Sequence, residues 1–183
     1  MTTTLTLIVA TLLADGPATK ATYYLGESKV TTADGKPMGN MVVLVKRELR
    51  PAESRIIETV LMVSSQRNEP IKEYLTVLAV KGSRFTMREQ SGAFSGSGEL
   101  DGNPWEWSGW TSTAKMPGQN GGTIISRDKL TERGMAVSKE LNGPDGAVRV
   151  KFVEDYAAID GGTYELLHAK LVPRDPRGGE RPR

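Results

Sequence analysis

The chain has 183 residues, with 24 Lys and Arg against 22 Asp and Glu, a single His and no Cys. That length suits one domain, and the interspersed, nearly cancelling charges give its body no electrostatic footprint for nucleic acid. The lack of Cys excludes disulfides, thiolate metal sites and a Cys nucleophile, and one His excludes a His-rich zinc or di-iron centre.

Residues 1–20 read as an N-terminal segment distinct from the rest of the chain. Leu5 to Leu13 is an apolar run with the length of a signal-peptide core, and Leu12 and Ala14 stand at the −3 and −1 positions of a cleavage site. No basic residue precedes the run. Cleaved, it implies an exported protein. Retained, it is expected to be a first strand or a short capping helix of a cytoplasmic one. It is too short to span a bilayer.

From residue 21 onward, short segments rich in Val, Ile, Thr, Tyr and Trp alternate with turn signals. These include Asp34-Gly35, Lys81-Gly82, Asp101-Gly102-Asn103-Pro104, Asn120-Gly121-Gly122, Arg133-Gly134, Asn142-Gly143-Pro144-Asp145-Gly146 and Asp160-Gly161-Gly162. The pattern is that of successive β-hairpins. It places strands at 21–31, 40–49, 54–64, 71–80, 83–89, 93–100, 104–115, 122–130, 135–141, 147–156 and 163–172. About ten strands are expected from these eleven segments, with two open to being one bent strand. So wide an antiparallel up-and-down meander must hide its edges, and closure into a barrel does that. Residues 21–172 are the expected all-β domain. Residues 173–183 (PRDPRGGERPR) contain no apolar residue and are expected to be a disordered tail.

Period-two alternation sorts side chains between the two faces. Val148, Val150 and Phe152 share one face, as do Met135, Val137 and Leu141. In 71–80, Tyr74, Thr76, Leu78 and Val80 oppose Glu73, Leu75, Val77 and Ala79, so this strand is expected either to be covered on both sides or to face an apolar cavity on one side and a packed element on the other. Gly96 and Gly98, alternating within a strand, permit sharp coiling or the close approach of another backbone.

Three tryptophans fall within six residues, Trp105, Trp107 and Trp110, around Gly109. Read as one strand, Trp105 and Trp107 share a face and Trp110 takes the other. They either wall a pocket or plug a core. His168 falls on the last segment, on the face of Tyr164 and Leu166, either as a packed or rim residue or as a base or haem ligand. Among strand-borne charges, Glu58, Arg88, Glu106, Arg127, Glu140 and Arg149 are candidates to point inward. An inward Arg against an inward Glu, with Tyr74 or Tyr156 nearby, would suit a ligand bearing a carboxylate. Glu154 and Asp155 lie too near a strand end to read as an acid/base pair. The candidate binding residues are therefore Tyr74, Arg88, Trp105, Trp107, Trp110, Tyr156 and His168.

The meander of short strands and tight hairpins across residues 20–172 resembles calycin-like barrels: lipocalins, fatty-acid-binding proteins and bacterial lipocalin-like domains. The late His in Leu167-His168-Ala169-Lys170-Leu171 resembles the context of the iron-ligating His in nitrobindin-like barrels. The glycine-and-tryptophan signature of their first strand is replaced here by Tyr23-Tyr24-Leu25-Gly26-Glu27. The resemblance implies a calycin-like barrel; the two-sided apolar strands and the Trp cluster point to one that binds a small apolar or amphipathic molecule in its lumen, without catalysis and without a cofactor. The alternatives are a metal-free isomerase or cyclase acting on a hydrophobic substrate, a haem-binding barrel, and a filled barrel serving as a subunit. No nucleic-acid partner and no stable membrane insertion are expected, and a homodimer is left open.

Overall fold

A computed structural model of the chain describes residues 19–66, 69–106, 109–116 and 121–172. Ten antiparallel strands follow one another: β1 (Lys20–Thr32), β2 (Pro37–Arg50), β3 (Arg55–Ser64), β4 (Pro70–Lys81), β5 (Arg84–Glu89), β6 (Ser95–Leu100), β7 (Gly109–Lys115), β8 (Thr123–Thr131), β9 (Gly134–Asn142) and β10 (Val148–Ile159). Each pairs with the next, and β1 pairs with β10, so the barrel is closed and has no free edge. A short 3₁₀ turn, Pro51–Glu53, joins β2 to β3, and one helix, α1 (Gly161–Leu171), follows β10. No helix among the described residues is long and apolar enough to cross a membrane. The N-terminal apolar run and the tail at 173–183 lie outside the described residues.

The expected up-and-down β-barrel is therefore what the chain forms, with two corrections. First, ten strands arise because the eleventh segment, 163–172, is a helix, not because two segments merge. Asp160 caps this helix. Its carboxylate accepts the Thr163 backbone N–H at 2.9 Å and the Thr163 hydroxyl at 2.6 Å. The turn signal at 160–162 is thus a helix start, and Tyr164, Leu167 and Leu171 recur at helical spacing on the face that meets the barrel. Second, β7 begins at Gly109, not at residue 104. Asn103 holds a turn there. Its side-chain oxygen accepts the Trp105 N–H at 3.1 Å, and its carbonyl accepts the Glu106 N–H at 3.1 Å.

Alternation assigns the faces. On β2, Val43, Val45, Arg47 and Leu49 point inward; on β3, Ile56, Glu58, Val60 and Met62 do. Their neighbours Leu44, Leu61 and Val63 point outward yet are at most 1% exposed, because Tyr164, Leu167, Leu171 and Val172 of the helical segment cover them. The strands covered on both sides are thus β2 and β3. On β4 the outward Leu75 and Val77 are only half-buried.

One end of the lumen, where β2 passes to β3, β4 to β5, and β6 to β7, is filled. Leu49, Ile56, Leu78, Val80, Phe85, Leu100 and Trp110 pack together there, with Met87 and Trp105 against them. Gly98 is needed for this packing, since a Cβ at that position would lie 2.4 Å from the Phe85 ring. A second cluster, Tyr24, Val43, Val45, Met135, Val137 and Tyr156, joins β1, β2, β9 and β10 across the seam where the barrel closes.

Candidate functional site

Above the packed end, the strands enclose a cavity of about 230 Å³. Its wall is mostly apolar. Val45, Val60, Leu78, Met135 and Val137 line its depth, and Met62, Tyr74, Phe94, Met116, Ile124 and Phe152 line it towards the opposite end. Most of this second group is only half-buried, which marks that end as the mouth. There the Tyr74 and Phe94 rings lie 5.9 Å apart, and the exposed Lys72 ammonium sits 4.9 Å from the Tyr74 ring centre.

Charged side chains cross the lumen in two hydrogen-bonded groups. Arg47, 2% exposed, is the centre of the first. Its Nε donates to Glu58 Oε2, and its terminal nitrogens donate to Asp128 Oδ2 at 2.7 Å and to the Met135 sulfur at 2.8 Å. Its guanidinium carbon lies 4.2 Å from the Trp110 ring centre, a cation–π arrangement. Ser126 donates to the other Asp128 oxygen at 2.7 Å. Burial alone would push the Arg47 pKa down; Glu58 and Asp128 outweigh it and hold the guanidinium above its ordinary value.

Glu154 is the centre of the second group, and is also 2% exposed. Ser28 donates to its Oε1 at 3.1 Å, while Lys139 at 2.9 Å and the Tyr156 hydroxyl at 2.5 Å share its Oε2. Gly26 makes room for the Tyr156 ring, since a Cβ there would fall 2.5 Å from a ring carbon. Burial raises the Glu154 pKa, but the Lys139 charge and these hydrogen bonds more than reverse it, leaving the carboxyl below its ordinary range. Lys139 is lowered by burial and raised further by Glu154, Asp128 and Glu58, for a net increase. About 30% of its side chain faces free space, and that space is the cavity it lines. The Tyr156 phenol is pushed strongly upward, by burial first and then by the adjacent Glu154 carboxylate.

Of the residues singled out from sequence, Tyr74, Trp110 and Tyr156 meet around this cavity. Trp105 packs against the filled end and does not line the cavity. Trp107 lies outside the described residues. Arg88 is exposed, on the outward phase of β5 between the inward Met87 and the buried Glu89. His168 is on α1, outside the barrel. It bonds Glu73 Oε1 at 2.8 Å and stacks on Tyr164 at 5.7 Å, so the chain's only His does not face the lumen and fits neither a lumenal base nor an axial haem ligand. Glu58 points inward as the alternation allowed.

The sequence does not single out Arg47, Asp128 or Lys139, and Glu154 is set aside there as lying too near a strand end. Arg47, Lys139 and Glu154 stand in phase with apolar inward neighbours, in Val43-x-Val45-x-Arg47-x-Leu49, Met135-x-Val137-x-Lys139 and Phe152-x-Glu154-x-Tyr156, whereas Asp128 follows the polar Ser126 in its phase. A charge in the apolar phase of a strand was the available signal. Glu154 also lies well inside a strand that continues to Ile159, not at its end. Comparison of the chain with protein-family models and with curated proteins finds no match.

Proposed function

We propose that the protein binds a small amphipathic molecule in the barrel lumen and does not transform it. The observation that carries this reading is the cavity itself: about 230 Å³ of space, closed by packing at one end, apolar along most of its wall and crossed by fixed polar groups. An apolar cavity of roughly 150 Å³ accommodates benzene, so this one suits a body the size of a fused bicyclic ring or a short branched chain.

The non-catalytic reading is supported by how the polar groups around Asp128 and Glu154 are spent. Glu154 accepts from three donors, and both oxygens of Asp128 are engaged. Tyr156, the obvious proton donor, is locked onto Glu154 with its pKa raised. A general acid or base must be free to reach its substrate.

Native mass spectrometry of the freshly purified protein should reveal a bound small molecule. Emptied protein titrated with 1-naphthalenemethanol should bind one equivalent and quench Trp110 emission. A stoichiometric product formed on turnover of the extracted molecule, or no binding by any bicyclic alcohol, would overturn the proposal.

A further inference from the structure

We propose, resting on the lumenal-binding reading above, that the ligand carries an organic cation, an amine held against Glu58, and not a carboxylate. The charge count inside the cavity is the first argument. Glu58, Asp128 and Glu154 face Arg47 and Lys139, three carboxylates against two cations; the remaining charged lining residue, Lys72, lies exposed at the mouth. A carboxylate entering the lumen would add to an excess of negative charge in a medium that screens it poorly, whereas a protonated amine would neutralise that excess.

The second argument is the supply of free hydrogen-bonding atoms. Arg47, the residue that would grip a carboxylate, already forks between Glu58 and Asp128 and lies over Trp110. Glu58 accepts from Arg47 through Oε2 alone, and its Oε1 accepts no hydrogen bond among the described residues. Its side chain retains 15% exposure, on the cavity it lines. An ammonium group donating there would complete the row Asp128–Arg47–Glu58–amine, in which opposite charges alternate. The raised Lys139 pKa agrees, because the same carboxylates favour a cation at that depth. Among the described residues no three His, Cys, Asp or Glu side chains converge as metal ligands.

The test uses three probes of one shape: 1-naphthylmethylamine, 1-naphthalenemethanol and 1-naphthoic acid, titrated calorimetrically into the full chain at pH 7. The amine should bind roughly tenfold or more tighter than the acid, about 1.4 kcal/mol at tenfold, with the alcohol between them. Glu58→Gln, which keeps an acceptor for Arg47, should remove most of the amine's advantage over the acid and the alcohol. In the unaltered protein the amine's affinity should fall as pH rises through the amine's own pKa, a readout that needs no variant. If the alcohol binds but the acid equals or exceeds the amine, or if neither pH nor Glu58→Gln changes their ratio, the cation assignment is wrong while lumenal binding stands. If none of the three binds, both fall.

Discussion

The two ends of the lumen are built by the same ten strands and differ in almost everything else. At the packed end, successive inward positions carry large apolar side chains, such as Leu78 and Val80 on β4 and Ile56 on β3, each 8% exposed or less. At the mouth, the same strands place Lys72 and Tyr74 on β4 and Met62 on β3, none of them buried. Between them lies the charged belt. The difference shows how a β-barrel divides its labour along the strand axis. Hydrophobic burial at one end supplies stability, which leaves the other end free of that duty and able to stay open.

The belt is where the comparison breaks most sharply. Removing Arg47 strands Glu58 and Asp128 in the lumen without their shared cation. Arg47→Ala should therefore destabilise the protein by about 3–5 kcal/mol, the usual result of removing one partner from a buried ion pair. Replacing all three with apolar residues of similar volume, as Arg47→Met with Glu58→Leu and Asp128→Val, should recover most of that loss while abolishing any preference among charged ligands. Denaturant melts of the single and triple variants give the answer. A triple variant no more stable than the single would mean that the belt is a structural requirement and not a recognition device.

Within the apolar part, depth sets the cost. Leu78→Ala, at 1% exposure in the packed end, should lose about 2–5 kcal/mol through lost burial and a cavity. Phe94→Ala at the half-exposed mouth should lose about 1 kcal/mol or less and act on ligand affinity instead. Equal losses at the two positions would erase the distinction between a packed, stabilising end and an open one.

The second charged group predicts a pH dependence. The Glu154 carboxyl is held below its ordinary value of 4.5 in the folded protein. It therefore contributes stability above that value, and the contribution is lost as pH falls through the depressed folded pKa. Lys139 is raised above 10.5, so its share is fully present below that pH and is lost only as pH rises beyond the folded value. Stability should hold across the neutral range and decline below about pH 4.5. Glu154→Gln should be less stable at pH 7 and show a shallower acid decline. Thermal melts between pH 3 and pH 8 test this, and an unchanged acid slope in the variant would assign the decline to other carboxylates.

The barrel was legible in the sequence because turn chemistry and alternation are local. Asp34-Gly35, Lys81-Gly82 and Arg133-Gly134 each sit where two strands reverse. The helix was not legible, because Tyr164-x-Leu166-x-His168 alternates as a strand does, while the true helical set Tyr164, Leu167 and Leu171 only becomes apparent once a surface exists for it to cover. That surface, Leu44, Leu61 and Val63, comes from strands about a hundred residues away. The site was half legible. Tyr74, Trp110 and Tyr156 follow from residue type and phase, but Arg47, Asp128 and Glu154 needed closure of the barrel to bring β2, β8 and β10 to one axis. Rare residues drew attention to Trp105 and His168, and rarity says nothing of which face a side chain takes.

His168 provides the smallest and cleanest contrast between the inside of the barrel and its outside. Its imidazole meets Glu73 on the outer face of β4, and both side chains are about 30% exposed. Solvent screens such a pair, so its loss should cost only about 0.2–1 kcal/mol, with a small addition from the stacking on Tyr164. His168→Ala should therefore lower the unfolding midpoint slightly and leave probe affinity in the lumen within twofold or so, because α1 touches the barrel only from outside. Tyr164→Ala on the same helix should cost several times more, since Tyr164 is 3% exposed and covers Leu44 and Leu61, and it too should spare the cavity. If His168→Ala instead removed probe binding while the fold survived, the wall between α1 and the lumen would have to transmit strain, and the separation of the outer face from the cavity would be wrong.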